Sequence, residues 1–93
     1  MSRDWHGRRA SRLTALVLAT YGTTCHLCRG AGATTADHVI PRSRGGPHSL
    51  ANMRPAHHGC NSARGDMDLT EWFRRHPEFA RRSAAPPSRR WFG

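Results

Sequence analysis

The sequence predicts a small α+β domain in which short helices flank two strands and a bound metal ion supports a thin core. The chain has only 93 residues, of which 37% are hydrophobic, so burial alone gives a single domain of this size little stability. Helical and extended patterns alternate along the chain. Its three cysteines and a nearby histidine form two pairs with the spacing of metal ligands.

The first predicted helix runs from Ser11, its expected N-cap, to about Thr20, and Gly22 follows its end. The N-terminus is basic and then apolar, as in a signal peptide, but it carries Asp4 and the apolar run LTALVLA is short and amphipathic. A folded helix is therefore expected, and no apolar run approaches the roughly 18 residues of a membrane span. The apolar face of this helix is expected to contain Leu13, Leu16, Val17 and Thr20.

The middle of the chain predicts two strands joined by a turn-rich loop. The first strand, ATTADHVI, ends at Pro41, and the loop RSRGGPHS contains the glycine pair Gly45-Gly46. A second extended segment covers about residues 50–54. A helix is expected from near His58 to Arg64, because Gly65 is a typical helix terminator.

The C-terminal part predicts one more short helix. Asp68 and Glu71 have the spacing of a capping box that opens the helix DLTEWFRRH, and Pro77 ends it. Trp72, Phe73 and Phe79 offer it an apolar face. The predicted organisation is a basic N-terminal segment with a helix at 1–24, a metal-braced core at 25–66, a short helix at 67–80 and a flexible basic tail at 81–93.

The net charge of +9 predicts attraction to a polyanion, above all nucleic acid, and all fifteen basic residues are arginine. Arg42 and Arg44 lie in the glycine loop, Arg54 precedes the second ligand pair and Arg64 ends the helix after it. We expect these four to follow a DNA backbone, although a solvated charged face is the default for any one of them. No segment resembles a base-reading helix, which predicts little sequence specificity.

The first ligand pair, Cys25 and Cys28 in CHLC, is matched by His57 and Cys60 in HHGC. Equal spacing lets each tight turn offer two ligands to one tetrahedral zinc ion with a closed, structural coordination shell. A thioredoxin-like redox pair would need a larger α/β domain, and the odd cysteine count argues against a disulfide framework. His58 is the alternative fourth ligand, but it stands only two residues before Cys60 and fits such a turn less well.

The 28 residues between Cys28 and His57 form a larger insert than zinc ribbons or fingers usually carry. The insert contains Asp37, His38 and Asn52, and Asn61 lies beyond it, directly after the last ligand. Carboxylate and amide oxygens suit a hard divalent cation, and an imidazole can deprotonate water. The set predicts metal-assisted phosphodiester cleavage. The alternative is a structural hydrogen-bonded pair with a turn asparagine.

The segments CHLC, ADHVIPRSRGGPHSLANMRP and HHGCNSARG together resemble the HNH endonuclease family, in its zinc-containing form found in small phage and bacterial proteins. The resemblance covers about Cys25–Gly65. It implies a ββα-metal, or His-Me finger, fold: two strands and a helix around the active cation, with the zinc site at the far end. Two positions depart from the family pattern: His57 replaces the usual cysteine, and Arg64 stands where lysine is common.

The resemblance also implies a role for each signature residue. His38 would be the general base, and Asp37 and Asn61 would hold the catalytic cation, Mg2+ or another divalent ion such as Mn2+. Asn52 would fix the loop and orient the segment that carries His38. The implied reaction is hydrolysis of DNA to a 5′-phosphate and a 3′-hydroxyl.

The family implies DNA as the partner and, for small phage members, the large terminase subunit or another packaging protein in the cytoplasm of a bacterial host. Restriction-like and homing-type enzymes share the same core. The rival interpretation is a non-catalytic zinc module that binds DNA or a protein through its arginines. Asp37, His38 and Asn61 favour the nuclease, because a binding module has no need to hold them together.

Overall fold

The computed structural model of the chain describes residues 2–82, and it describes side-chain surroundings from Ser11 onward. Two short 3-10 turns, Arg42–Arg44 and Leu50–Asn52, lie in the loop between the strands. The fold is a small α+β domain, as the sequence predicts. Its helices and strands are α1 (Ser2–Tyr21), β1 (Thr35–His38), β2 (Met53–Ala56), α2 (His58–Arg64), α3 (Leu69–Arg75) and α4 (Pro77–Arg81).

Strands β1 and β2 form an antiparallel pair whose register runs from Thr35 opposite Ala56 to His38 opposite Met53. Helix α1 packs against both strands, and α2 packs against β1. The end of β1, which carries Asp37 and His38, therefore lies where the sheet, α2 and the long loop meet.

The core is divided into two small clusters. One lies between α1 and the sheet and is built from Val17, Ala36 and Met53. The larger contains the three cysteines, and the buried indole of Trp72 closes it by donating from Nε1 to the carbonyl of Leu27 at 3.0 Å. Its buried members are Cys25, Leu27, Ala33, Ala56 and Trp72. A core this thin gains from a metal ion that ties its segments together.

Helix α1 is longer than the sequence predicts. It begins at Ser2, so Ser11 lies inside the helix and is not its N-cap. Arg8, Arg9 and Ala10 are good helix formers that let the helix extend toward the N-terminus. The predicted apolar face is also only partly right, because Leu16 is half exposed. A sheet of only two short strands is too small to cover it. No helix within residues 2–82 is both long and apolar enough to cross a membrane.

The strands are shorter and the second begins later than expected. Residues 50–52 form a 3-10 turn because the side chain of Asn52 closes the loop, and β2 starts only at Met53. Pro55 lies inside β2, which a two-stranded sheet tolerates because both strands are edges and one N–H can be absent. The Pro55 carbonyl accepts from the backbone N–H of His26 at 2.8 Å, which joins β2 to the first cysteine pair.

Helix α2 has the predicted bounds, with Gly65 directly after it. Asp68 caps α3 by accepting from the Thr70 N–H at 3.0 Å, but Glu71 does not complete a capping box. Glu71 forms ion pairs with Arg74 and Arg75 instead.

The chain after Pro77 forms a further short helix that the sequence analysis did not predict. Pro77 ends α3 as expected and also opens α4, because the first turn of a helix has no partner for the missing N–H. The predicted tail, 81–93, begins at the last residue of α4, and residues 83–93 lie outside the described part of the chain.

Candidate metal centres and active site

The two ligand pairs come together as the sequence predicts. The ligand atoms of Cys25, Cys28, His57 and Cys60 all lie within 4.8 Å of one another. The His57 Nδ1 atom is 3.2 Å from the Cys28 sulfur and 3.8 Å from the Cys60 sulfur. Tetrahedral zinc with ordinary bond lengths places its ligand atoms about 3.6 to 3.8 Å apart. Three sulfurs and one imidazole nitrogen at these distances fit zinc.

Backbone hydrogen bonds orient these ligands. The N–H of His57 donates to the Cys25 sulfur at 3.3 Å, and the N–H of Gly30 donates to the Cys28 sulfur at 3.4 Å. The other ring nitrogen of His57, Nε2, donates to the carbonyl of Ala31 at 2.8 Å, which leaves the lone pair of Nδ1 for the metal. His58 is exposed at the start of α2 and lies outside the group, so His57 is the clustered histidine.

The thiols of this group differ in acidity. Burial would raise the pKa of Cys25, but the backbone N–H groups of Cys28, His57 and Leu27 outweigh it and lower that pKa. Burial together with the neighbouring sulfurs of Cys25 and Cys28 raises the pKa of Cys60 to about 12. Three thiolates this close repel one another, so ionisation of all three requires a bound cation.

Asp37 lies near the end of β1, and only 5% of its surface is exposed. Its Oδ2 atom accepts from Nη1 of Arg64 at 2.6 Å and lies 2.9 Å from Nε2 of His26. Burial alone would raise the pKa of Asp37, but the hydrogen bonds from His26 and Arg64 lower it, so the carboxylate is charged at neutral pH. None of the hydrogen bonds among residues 11–82 ends on Oδ1, which leaves one oxygen for a cation.

Asn61 approaches the same end of β1 from α2. Its Nδ2 atom donates to the carbonyl of Ala36, the residue before Asp37, at 3.3 Å. Its amide oxygen is not used by any hydrogen bond in the described part of the chain. Asp37 and Asn61 thus offer one carboxylate and one amide oxygen, the donor types that a hard divalent cation prefers. Because Asn61 follows Cys60 directly, α2 carries both a candidate zinc ligand and this amide.

His38, the last residue of β1, is partly buried. Its Nε2 atom is 2.9 Å from Nδ1 of His48, and the two ring centroids are 5.1 Å apart. Burial, then the nearby His48 and Arg42, lower the pKa of His38, and the charge of Asp37 opposes this only in part. The imidazole is therefore neutral near pH 7, as a general base must be.

Asn52 is buried and closes the loop that follows β1. Its Oδ1 atom accepts from the N–H of Ile40 at 3.0 Å, and its Nδ2 atom donates to the carbonyls of Ile40 and Pro47 at 3.0 and 2.9 Å. Gly46 is required beside it, because a Cβ there would overlap the Ile40 carbonyl. These contacts hold the chain immediately after His38.

The prediction that Arg64 lies on a DNA-facing surface is wrong. Its side chain is fully buried, and it donates to Asp37 and to the carbonyls of His38, Val39 and Met67 over 2.5 to 2.7 Å. A positive charge in the core next to a buried carboxylate is stabilised by that pairing, so the guanidinium is not available to a phosphate. Arg64 instead joins α2 to the end of β1 that carries Asp37 and His38.

The other three predicted DNA contacts are more accessible. Arg42 and Arg44 are exposed on the 3-10 turn after Pro41, although Nε of Arg44 donates to the carbonyl of Asp66 at 2.9 Å. Arg54 is half-buried, and its guanidinium lies 4.0 Å from the ring centroid of Tyr21. Arg42 is therefore the most open cation near His38 among the predicted contacts.

Sequence reasoning missed two histidines that contact the predicted catalytic residues. His26 lies between the first two zinc ligands and reaches Asp37, and His48 reaches His38 from the loop. The seven histidines of the chain are a signal in themselves, but the pairing depends on how the loop closes. Spacing alone could not assign these contacts.

Comparison with known proteins finds one family model that matches this core. Residues 24–67 match the family model for HNH endonuclease. The matched range contains both ligand pairs, both strands and α2, and so every residue of the two candidate metal sites. No curated protein and no solved structure matches the chain significantly.

Proposed function

We propose that the protein is a metal-dependent DNA endonuclease, from the premise that residues 24–67 match the HNH endonuclease family. The observation that carries the proposal is the meeting of three groups at one end of β1. There a neutral imidazole on His38 adjoins the charged carboxylate of Asp37, and Asn61 enters from α2. These groups supply a base and two oxygen ligands, which is what hydrolysis of a phosphodiester requires.

In the proposed mechanism, His38 removes a proton from a water molecule, whose oxygen then attacks the phosphorus atom. The bond from phosphorus to the 3′ oxygen breaks, the 3′ oxygen takes a proton from solvent, and the products are a 5′-phosphate and a 3′-hydroxyl. Asp37 and Asn61 would hold Mg2+ or Mn2+, and the positive charge of that ion would stabilise the negative charge that develops in the reaction. Asn52 and Arg64 keep the backbone around His38 in place.

The second metal in the proposal is a structural zinc ion on Cys25, Cys28, His57 and Cys60. The closed set of four protein ligands leaves no position for substrate, so its role is to hold the first cysteine turn to α2. DNA would be bound mainly by backbone charge contacts from Arg42, Arg44 and Arg54. One phosphate contact from each predicts that log affinity falls with log salt at a slope of about −2.7.

The biological setting is proposed from the family alone. A chain of this kind would act in the cytoplasm of a bacterial cell, where zinc-binding thiols stay reduced. For a phage protein, the large terminase subunit or another packaging protein would be the partner that brings it to DNA.

The first test is conversion of supercoiled plasmid by the zinc-loaded protein under three conditions. These are Mg2+, Mn2+, and no added cation after treatment of the protein with a chelator that is then removed. We expect nicked or linear DNA with either cation, none after chelation, and ends that a ligase accepts without phosphorylation. His38→Ala should lose nearly all of this activity while keeping its zinc and circular dichroism spectrum. Equal conversion by His38→Ala and the parent would contradict the assignment of the base.

A second candidate function is a non-catalytic zinc module that binds DNA or a protein. One observation favours it: Arg64 and His26 both contact Oδ2 of Asp37, which are the contacts of a structural ion pair. The same assay separates the two functions. A binding module would shift DNA in a gel at low salt, and neither the parent nor His38→Ala would break a phosphodiester bond with either cation.

A further inference from the structure

His48 is in direct contact with the proposed general base. Its Nδ1 atom lies 2.9 Å from Nε2 of His38, within hydrogen-bonding distance, and the rings are tilted by 36° at a centroid distance of 5.1 Å. His48 is exposed and lies in the loop between the strands, ten residues from His38 in sequence. No other hydrogen bond to the His38 ring exists within residues 11–82.

Hydrogen bonds fix the loop backbone on both sides of His48. The position of His48 is therefore constrained, although its side chain is exposed. On one side, the carbonyl of Pro47 accepts from Asn52 at 2.9 Å. On the other, the carbonyl of Leu50 accepts from the hydroxyl of Tyr21 at 3.2 Å. His48 therefore lies between two anchored residues, within a loop that Asn52 also joins to Ile40 just beyond His38.

A neutral imidazole carries its single ring proton on one nitrogen and a lone pair on the other. If the proton of His38 is on Nε2, that N–H donates to Nδ1 of His48, and the lone pair is on Nδ1, where it can accept a proton from water. If the proton is on Nδ1 instead, Nδ1 has no free lone pair and cannot accept a proton from water. An acceptor at Nε2 thus selects the tautomer in which Nδ1 is the base.

We propose that His48 is a positioning residue that accepts a hydrogen bond from Nε2–H of His38 and so keeps Nδ1 of His38 unprotonated and fixed as the catalytic base. The inference rests on the proposed function, since it concerns the base of that reaction. His48 itself does not touch the reacting atoms in this role. Its contribution is to the orientation and tautomer of His38.

Two substitutions separate the hydrogen bond from the bulk of the ring. His48→Asn keeps an acceptor, Oδ1, bonded to Cγ where the imidazole has Nδ1. His48→Phe keeps an aromatic ring beside His38 but cannot accept a hydrogen bond. We expect the Phe variant to lower kcat by about tenfold, a fraction of the 10²- to 10⁴-fold that a general base contributes, with little change in KM. The Asn variant should stay within about twofold of the parent.

Single-turnover plasmid cleavage at saturating Mg2+ measures these rates, and zinc content with circular dichroism establishes that each variant is folded. The matched control is His58→Asn, which changes an exposed histidine outside both metal sites. Full activity of the Phe variant would overturn the inference, because the acceptor would then be unnecessary. Equal loss in the Asn and Phe variants would also overturn it, because restoring the acceptor would have no effect.

A spectroscopic test needs no activity. Ring-nitrogen chemical shifts of the zinc-loaded protein at about pH 8, above the usual imidazole pKa, report which nitrogen of His38 carries the proton. We expect the proton on Nε2 in the parent and in His48→Asn, and an increased share on Nδ1 in His48→Phe. A parent with the proton on Nδ1 of His38 would overturn the inference.

Failure of the inference and failure of the proposed function give different results. A parent that does not cleave DNA, or that cleaves no faster than His38→Ala, refutes the proposed function itself. A parent that cleaves, a His38→Ala variant that does not, and a His48→Phe variant with parental kcat refute only the role of His48.

Discussion

Replacement of Arg64 by methionine tests whether a buried arginine, and not only the zinc site, builds the end of β1. Arg64→Met keeps a long apolar stem of similar volume but removes the guanidinium. It leaves the carboxylate of Asp37 with His26 as its one remaining partner in the described structure, and it leaves the carbonyls of His38, Val39 and Met67 without their donor.

The expected loss of unfolding free energy follows from the burial of the ion pair. The Arg64 side chain is 0% exposed and that of Asp37 is 6% exposed, so solvent screens this ion pair very little. Removal of one partner from a buried pair costs about 3 to 5 kcal/mol, because the other charge stays buried. A small domain has about 5 to 15 kcal/mol of unfolding free energy in all. For a domain of this size, such a loss lowers Tm by at least about 12 °C.

The assay is thermal unfolding followed by circular dichroism with a fixed excess of zinc, because metal binding and folding are coupled. Arg64→Lys should fall between the parent and the Met variant, because lysine keeps the charge but cannot donate in a planar fork. Arg81→Met, at an exposed position on α4, is the matched control and should leave Tm nearly unchanged. A Tm of Arg64→Met within about 2 °C of the parent would refute the reasoning.

Three further predictions concern zinc, pH and the loop. His57→Ala should lower the zinc content of the purified protein well below one ion per chain, whereas His58→Ala should keep it, as measured by metal analysis. The acid limb of kcat/KM should have its midpoint below 6.5, because the folded pKa of His38 is lowered from that value and the neutral base persists to lower pH. Asn52→Ala should lower the free energy of unfolding by about 2 to 4 kcal/mol in denaturant titrations, because three hydrogen bonds of a buried side chain are lost.

Each of these has a contrary outcome. Loss of zinc from His58→Ala but not from His57→Ala would reverse the ligand assignment. A midpoint above 6.5 would mean that the protonated imidazole is stabilised at the site, against the effects of burial and of His48 and Arg42. An Asn52→Ala protein as stable as the parent would mean that the loop closes without the amide.

The features that local spacing determines could be predicted from the sequence. The two ligand pairs, the limits of α2 and the cap at Asp68 each depend on residues only a few positions apart. The choice of His57 over His58 also followed from the length of a tight turn. The set of three cysteines and His57 was therefore named from spacing. Asp37 and Asn61 were assigned to a cation from the family resemblance, and that assignment stays a prediction.

The features that depend on distant partners could not be predicted. Arg64 looked like one more surface cation, yet its acceptors Asp37, His38 and Val39 lie 25 to 27 positions away in the sequence. The strand limits moved for the same reason, because Asn52 bonds across the loop to Ile40 and forces a 3-10 turn where extended chain was expected.

The central claim is that His38 is the base in a DNA cleavage reaction, and chemical rescue tests it most directly. The measurement is the single-turnover rate of plasmid cleavage by zinc-loaded His38→Gly in Mg2+, with and without added imidazole. We predict that the variant is at least about 10²-fold slower than the parent, and that imidazole restores part of the rate in proportion to its unprotonated concentration. A His38→Gly protein that cleaves DNA at the parental rate without imidazole would contradict the account.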